Sequence, residues 1–218
     1  MKTKRKIPSA PSVRRLPSYL TIVKQLQHEG NEHVSGTLIA REMGLESIQI
    51  RKDLAITGIT GKPRIGYPVE GLVDAIERFL GWYDVQDAVL VGVGNLGSAL
   101  MGYREFQSHC LNFVAAFDTD PRKIGARVHG IYVLSMETLE IEVRQWGIKI
   151  AVLTVPAEEA QAVTDILVRA GIEGIWNFTN VKLKVSDNVM VQREDLSSGY
   201  AMLSVMMKIK DKTVKKSS

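Results

Sequence analysis

The sequence predicts an α/β protein built from a small basic helical segment and a longer segment in which strands and helices alternate. Apolar residues recur at helical spacing up to residue 82, and a glycine-rich turn then follows an apolar strand at residues 87–97. Strand-like and helix-like runs alternate from there to the end. Such alternation predicts a parallel sheet with right-handed crossovers. We therefore expect two domains, 1–84 and 85–218.

Composition limits the class of protein. The chain has 218 residues, 45% of them hydrophobic, with a mean hydropathy of −0.01. It contains no run of the roughly 18 apolar residues that a membrane helix needs. Its single cysteine, Cys110, excludes an intramolecular disulfide and lacks metal-site spacing. The basic N-terminus is not followed by the apolar segment of a secretory signal, so we expect a cytoplasmic protein.

The charge is distributed unevenly between the two segments. Residues 1–68 hold 12 Lys or Arg against 5 Asp or Glu, whereas residues 69–218 hold 16 against 19. A basic front segment predicts contact with a polyanion such as DNA. A disordered basic tail would explain only the charges at residues 2–6.

Three short helices are predicted in the front segment, each with an apolar stripe and a start or stop signal. The first carries Leu16, Leu20, Ile22, Val23 and Leu26, with Pro17 in its first turn. The second is capped by Ser35, carries Leu38, Ile39 and Met43, and ends at Gly44. The third is capped by Ser47, carries Ile48, Ile50 and Leu54, and turns Gln49, Arg51, Lys52 and Asp53 toward other faces. A fourth amphipathic helix covers residues 69–82.

The second and third helices are separated by three residues, a gap typical of a helix-turn-helix. Its second helix lies in the DNA major groove and needs hydrogen-bond donors there. Ser47, Gln49, Arg51 and Lys52 supply polar groups on the third helix, and Lys62 and Arg64 lie at the tip of a glycine-rich turn typical of a wing. We expect a winged helix-turn-helix domain. The alternative is a three-helix packing module with a solvated basic face.

The glycine-rich turn has the pattern of a dinucleotide-binding loop. Gly92 permits the sharp turn, Gly94 lets the backbone approach a pyrophosphate, and Gly97 permits close packing of helix on strand. The phosphates then lie on the helix N-terminus. The next strand is predicted at residues 111–118 and ends at Asp118, 21 residues after Gly97. This is the place of the carboxylate that binds ribose hydroxyls and favours NAD over NADP. The alternative is a purely structural turn.

Further residues are expected at the same edge of the sheet. In a Rossmann-like doubly wound parallel sheet, ligands bind beyond the carboxyl ends of the strands. Two later strands are predicted to end at Pro156 and near Asn177, so Thr154, Val155, Pro156 and Asn177 belong to that edge. The last predicted element is a C-terminal helix with an apolar row that forms either core or a dimer contact: Leu196, Tyr200, Leu203 and Met206 or Met207.

A binding role is favoured over catalysis. A dehydrogenase gives its substrate a second domain, whereas here the front residues form a small basic module. His109 and His129 lie away from the expected cleft, so neither is a convincing acid or base, and no catalytic residue is nominated. Two alternatives stay open: an NAD(H)-dependent enzyme with an accessory helical domain, and a repressor that senses another nucleotide or an acyl ligand.

Taken together, the motifs resemble the Rex family of bacterial redox-sensing repressors. The likeness runs from about residue 7 to residue 207 and is carried by QIRKDL, GKPRIGY, GVGNLGSALMGY, AAFDTDPRKIG, LTVPAEEAQ and AGIEGIWNF. The resemblance implies a homodimer that binds a palindromic DNA operator when NAD⁺ dominates and leaves it when NADH rises. It also implies that the C-terminal helix is exchanged between subunits.

The resemblance also implies roles for single residues. Gly92, Gly94, Asn95, Leu96 and Gly97 would hold the pyrophosphate, Asp118 the adenine-side ribose, and Thr154, Val155 and Pro156 the nicotinamide half. Tyr103, predicted on the helix after the glycine turn, would lie near the nicotinamide, together with Asp195 of the partner subunit. The chain departs from the family at Thr21, where many relatives have an arginine that pairs with that aspartate, and at residues 55–58, which read AITG in place of SYFG.

Overall fold

The computed structural model describes residues 9–216, with side chains described up to residue 209. The chain divides into two compact units, Met1–Asp84 and Val85–Ser218. The basic cluster predicted at residues 2–6 lies outside the described residues. The first unit contains α1 Ala10–His28, β1 His33–Val34, α2 Gly36–Met43, α3 Ser47–Ala55, β2 Tyr67–Pro68 and α4 Val69–Leu80.

The four helices enclose one apolar core whose centre is formed by Leu16, Tyr19, Ile39, Ile50, Leu54, Leu72 and Ile76. The predicted cap of α2 is confirmed, since the Ser35 hydroxyl accepts a hydrogen bond from the Leu38 N–H at 3.1 Å. The start of α1 was predicted too late. The helix begins at Ala10, so Pro17 lies inside it and not in its first turn.

Three expectations for α3 are wrong. Glu46, not Ser47, occupies the capping position, and no side chain caps the helix there. Ile48 was expected in the core but is 56% exposed. Asp53 was expected on an outer face but is fully buried. The helix is therefore rotated relative to the predicted apolar stripe, and its inner face is formed by Ile50, Asp53 and Leu54.

Asp53 is buried because it is fully bonded. Arg15 on α1 donates to both carboxylate oxygens, at 2.7 and 2.9 Å, and the Tyr19 hydroxyl donates at 2.7 Å. The Gln49 amide, one turn earlier on α3, donates at 2.8 Å. Burial alone would raise the pKa of the Asp53 carboxyl, but hydrogen bonds from Arg15, Tyr19, Ser12 and Gln49 hold it well below its usual range. The same burial, with the bond to Asp53, raises the pKa of Tyr19 to about 12.

The basic turn between α3 and α4 is closed by backbone hydrogen bonds. Lys62 and Gly66 form an antiparallel bridge, and β2 then pairs antiparallel with β1. Gly66 has a φ of +97°, and a Cβ there would overlap the Val34 carbonyl oxygen. Only glycine fits, because the two backbones are in contact. The turn therefore projects Lys62 and Arg64 from a fixed base.

The second unit is a seven-stranded sheet with helices on both faces. Its elements are β3 Gln86–Val91, α5 Asn95–Met101, α6 Arg104–Ser108, β4 Leu111–Asp118, β5 Arg127–Val128, β6 Ile131–Ser135, a 3₁₀ turn Met136–Thr138, α7 Leu139–Trp146, β7 Ile150–Leu153, α8 Ala160–Ala170, β8 Gly174–Asn177, β9 Met190–Arg193 and α9 Ser197–Lys216. The strand order is β5-β6-β4-β3-β7-β8-β9, parallel except for the β5–β6 pair. From β6 to β9 this is the doubly wound dinucleotide-fold order.

The sheet is buried on both faces because alternate residues of its central strands point to opposite sides. Val89 and Val91 of β3 belong to the core beneath α7 and α8, whereas Leu90 belongs to the core that includes Met101 of α5. The predicted β4 is confirmed at both ends. Strand β7, however, ends at Leu153 and not at Pro156, and strand β5 was not predicted.

The apolar row of α9 is exposed in the single chain. Tyr200, Leu203, Met206 and Met207 are each more than half exposed. Within the described residues they form no part of the core, which excludes one of the two roles predicted for them.

We expect Asp53→Ala to lower the free energy of unfolding by about 3–5 kcal/mol, because it leaves the Arg15 guanidinium and the Tyr19 hydroxyl without their acceptor. Urea denaturation followed by circular dichroism measures the change. Glu42→Ala, which removes an exposed ion pair with Arg41 at 3.5 Å, is the control and should cost less than about 1 kcal/mol.

The pH dependence has a definite sign. Since folding lowers the pKa of Asp53, its contribution is present above the unfolded-state pKa of about 3.9 and is lost as the pH falls below it. Wild-type stability should therefore fall more steeply than that of Asp53→Ala below about pH 5. Parallel curves would show that the carboxylate is not stabilised by the fold.

Candidate functional sites

A cavity of about 670 Å³ lies at the carboxyl ends of β3, β4 and β7. It is lined by six of the twelve residues predicted to bind a nucleotide: Gly92, Gly94, Asp118, Thr154, Val155 and Pro156. Asn95, Leu96 and Gly97 form the first turn of α5, whose backbone amides lack carbonyl partners inside the helix. The cavity therefore lies next to backbone N–H groups that can donate hydrogen bonds to an anion.

The glycine turn is packed tightly on one side and open on the other. Gly92 has a φ of +98°, and a Cβ there would lie 2.9 Å from the Thr154 carbonyl. A Cβ on Gly97 would overlap the Gly92 carbonyl oxygen. Around Gly94, by contrast, a Cβ would meet no described atom within 4 Å. The turn therefore leaves free space where the dinucleotide pattern requires the pyrophosphate to approach.

Thr154 connects the turn to the neighbouring strand. Its backbone N–H donates to the Val91 carbonyl at 2.9 Å, and its hydroxyl donates to the Gly92 carbonyl at 2.7 Å. These bonds hold the end of β3 against the residues that follow β7. Thr154 thus fixes one wall of the cavity as well as lining it.

Asp118 is buried at the floor of the cavity and already has three donors. Its carboxylate accepts from the Val93 N–H at 2.7 Å, the Asp120 N–H at 2.8 Å and the Lys123 ammonium at 3.0 Å. Burial alone would raise the pKa of Asp118, but these three donors lower it below its ordinary value. A carboxylate accepts about four hydrogen bonds, so one position remains for a ligand hydroxyl.

The two cations beside Asp118 are both paired. Lys123 bonds Asp118, while Arg122 donates to both oxygens of Asp120 at 3.0 and 2.8 Å. The Arg122 guanidinium and backbone N–H lower the pKa of Asp120 to about 2. The carboxylates therefore stay ionised and offset the positive charge at this end of the cavity.

The sequence did not identify the rest of the lining. Met136, Glu159 and Val163 complete the wall on the side of Val155, together with Phe117 and Thr119 beside Asp118. Met136 follows the carboxyl end of β6, and Glu159 and Val163 lie at and just inside the start of α8. Their positions after parallel strands are the signal that could have found them. They give the cavity an apolar slot with one carboxylate.

The other six predicted residues are not in the cavity lining. Asn95, Leu96 and Gly97 lie beside it in α5, and the remaining three lie elsewhere. Tyr103 was expected on the helix after the glycine turn, but that helix ends at Met101, and Tyr103 lies 48% exposed between α5 and α6 with its hydroxyl bonded to Glu105. Asn177 is fully buried and bonds Thr179 and the Val181 carbonyl, which shapes the loop after β8. Asp195 is exposed, and its carboxylate accepts hydrogen bonds from the backbone N–H and the hydroxyl of Ser197 at the start of α9.

A second concavity, an open groove of about 480 Å³, lies between α2, α3 and the basic turn in the first unit. It brings together four of the six predicted DNA-binding residues: Ser47, Arg51, Lys62 and Arg64. Ser35, Thr37 and Gly61 also line it and were not predicted. Lys52 is exposed on α3, and Gln49 is half-buried against Asp53. The groove presents cations and hydroxyl groups, the chemistry that contacts phosphate oxygens.

Two family models match the chain, "CoA binding domain" over residues 84–181 and "Putative DNA-binding protein N-terminus" over residues 6–55. A redox-sensing transcriptional repressor Rex from Treponema denticola is 56% identical over 207 residues, which is 95% of this chain and 99% of the relative. The Rex protein of Bacteroides thetaiotaomicron is 40% identical over 92% of this chain and 90% of its own length.

The chain belongs to the Rex family.

Solved Rex-family structures have the same fold. The repressor RSP superposes with a TM-score of 0.87 at 31% identity, covering 98% of this chain and all of its own. RSP in complex with β-NAD⁺ and operator DNA gives 0.86 at 33% identity over 97% of both chains. The predicted α/β class, with an N-terminal DNA-binding domain and a Rossmann-like parallel sheet, is confirmed. So is the expectation of a repressor and not an enzyme.

Among residues 9–216, no helix is long and apolar enough to span a membrane. The same described residues contain no cluster of three or more His, Cys, Asp or Glu able to hold a metal ion.

We expect Gly97→Ala to destabilise the second unit by about 3 kcal/mol. Alanine is favoured over glycine by up to about 1 kcal/mol inside a helix, but the overlap with the Gly92 carbonyl outweighs that gain. Gly94→Ala is the matched control, and its melting temperature should equal that of the wild type because its Cβ enters open space. Equal stability of both variants would show that the turn is loosely packed.

Proposed function

We propose that the protein is a homodimeric transcriptional repressor that binds a palindromic operator, senses the NADH/NAD⁺ ratio through bound NAD(H), and leaves DNA when NADH rises. The observation that carries this proposal is the presence in one chain of the Asp118 cavity and the basic groove. Relatives support it, since RSP structures hold β-NADH in one case and β-NAD⁺ with operator DNA in another. We also propose that it acts in the cytoplasm.

The cavity fits a dinucleotide on its own geometry. The open space at Gly94 and the amides at the start of α5 suit a pyrophosphate, and the remaining acceptor position of Asp118 suits a ribose hydroxyl. The slot formed by Val155, Pro156, Met136 and Val163 suits a flat base. We propose that Tyr103 of the same subunit, together with Asp195 of the partner subunit, completes the nicotinamide end.

We propose that the basic groove faces the DNA backbone and that α3 enters the major groove. Lys62 and Arg64 are exposed on the turn and would contact phosphates, while Arg51 and Lys52 on α3 would contact base edges or phosphates. Ser47 lines the groove beside Arg51. The phosphate contacts add affinity for DNA of any sequence, and they weaken as the salt concentration rises.

The redox signal must change the spacing of the two recognition helices. A palindromic operator fixes the distance between its half-sites, so a small rotation of the subunits prevents both from engaging at once. NADH and NAD⁺ differ at the nicotinamide ring, in charge and in shape. For that difference to matter, NADH must bind one dimer geometry more tightly than the other.

A second candidate is a Rex-like repressor with an altered redox response. Thr21 is exposed on α1, and its hydroxyl donates to the Pro17 carbonyl at 3.1 Å. A neutral hydroxyl cannot replace the guanidinium that many relatives offer to the aspartate matched by Asp195. The two candidates make opposite predictions for the response to NADH.

The deciding experiment measures operator affinity with NAD⁺ and with NADH added separately at a fixed salt concentration. The operator is first obtained by in vitro selection from random duplexes with the full chain. We expect NADH to weaken binding about 5–150-fold relative to NAD⁺. NADH that binds the protein but leaves operator affinity unchanged would favour the altered-response candidate, and failure to select any DNA would overturn the proposed function.

Gly94→Ala separates the two activities. Its Cβ enters the space proposed for the pyrophosphate without touching the rest of the fold, so we expect about 1–3 kcal/mol weaker NADH binding with unchanged stability. Operator affinity should persist and become insensitive to moderate NADH concentrations. Unchanged NADH affinity in this folded variant would contradict the assignment of the nucleotide to this cavity.

We expect NADH to bind more tightly than NADPH by about 1–4 kcal/mol, because a 2′-phosphate would meet two ionised carboxylates whose cations are already paired. Isothermal calorimetry with each nucleotide tests this. Asp120→Asn removes one carboxylate charge and releases Arg122, so it should narrow the difference. Equal affinities in the wild type would overturn the role given to Asp118 and Asp120.

A further inference from the structure

One face of α3 is exposed along its whole length. Ile48, Arg51, Lys52 and Ala55 are exposed, and their spacing of three, one and three residues places them on one side of the helix. The opposite side holds the buried Ile50, Asp53 and Leu54. The helix therefore presents two cations flanked by apolar groups at both ends.

The orientation of this face is fixed by Asp53. Four hydrogen bonds join its carboxylate to Arg15 and Tyr19 of α1 and to Gln49. Because a carboxylate accepts only, the Gln49 amide must turn its nitrogen toward Asp53, away from the exposed row. Rotating α3 to bury Ile48 would break this cluster. The fold thus holds Ile48 outward. Gln49, predicted to contact DNA, instead donates a hydrogen bond to Asp53 inside the domain.

Ile48 is 56% exposed at the second position of α3. Single exposed apolar residues are common on protein surfaces, so exposure alone carries no conclusion. The position of Ile48 does. It is one turn before Arg51 and Lys52 on the same face, and the first residues of a recognition helix are those that meet base edges. The cations that attract the DNA would bring this side chain against the groove floor.

An apolar side chain in the major groove has one matching partner. The C5-methyl group of thymine is the apolar group that base pairs expose there, and aliphatic side chains contact it. We propose that Ile48 is a specificity-determining residue that packs on a thymine methyl group in each operator half-site. This inference rests on the proposed DNA-binding function.

The test removes the methyl group alone. After the operator is selected with the full chain, each thymine of the half-site is replaced in turn by deoxyuridine, symmetrically in both half-sites. Fluorescence anisotropy at fixed salt gives the Kd for each duplex. We expect one position at which the loss of the methyl group weakens wild-type binding by about fourfold per half-site, the cost of one unburied methyl group.

Ile48→Ala decides whether Ile48 makes that contact. The variant should bind the thymine operator more weakly than the wild type and should show no further loss with deoxyuridine at the responsive position. Ile141→Ala is the matched control, an isoleucine 67% exposed on α7 of the other unit, and it should keep the full deoxyuridine effect. The melting temperature of Ile48→Ala should be unchanged, since the side chain lies outside the core.

Each outcome is distinct. If no duplex is selected, the proposed function fails. If an operator is selected but its half-site lacks thymine, or no thymine responds to deoxyuridine, or the response persists undiminished in Ile48→Ala, then the proposal for Ile48 is overturned while DNA binding stands.

Discussion

The second unit depends on the close approach of the β3 carboxyl end to the residues that follow β7. Thr154 binds the Val91 and Gly92 carbonyls, and Gly97 packs directly on Gly92. Asp118 adds a bond to the Val93 N–H from the other neighbouring strand. Three strands are thus joined at one turn. The same contacts leave Gly94 beside open space, so the packing that stabilises the fold also creates the cleft.

The first unit depends on the buried carboxylate of Asp53, as the second depends in part on that of Asp118. Removing a charge from water costs more than one ion pair returns, so Asp53 is tolerated only because every side of it is bonded. Replacing such a cluster by apolar residues is often neutral for stability. Its benefit here is directional, since bonds of defined geometry set the rotation of α3 about its own axis. The exposed row that faces DNA in our proposal follows from that rotation.

Much of the fold could be predicted from the sequence, because strands such as β4 combine an unbroken apolar run with clear turn signals. The faces of α3 could not. In a helix of nine residues, Ile48 and Ile50 cannot share one face with Leu54, and the choice between them is made by Asp53, whose partner Arg15 is 38 residues away. Similarly, the glycine pattern located about half of the cavity. Met136 and Glu159 line it because the strand order places β6 and β7 beside the strands that carry the glycine turn and Asp118, and the sequence motifs do not specify that order.

A redox switch needs only a small coupling free energy, which burial of a small apolar area can supply. A coupling of about 1–3 kcal/mol corresponds to about 40–120 Å² of apolar area transferred from water, one or two side chains. Thr21 offers no charge, so an ion pair at that position cannot provide the difference between two dimer geometries. The apolar row of α9 is exposed in the single chain, and in the homodimer that we propose, burial of Tyr200 or Leu203 against the partner subunit would supply an area of that size. Under this proposal, the threonine at position 21 does not by itself remove the redox response.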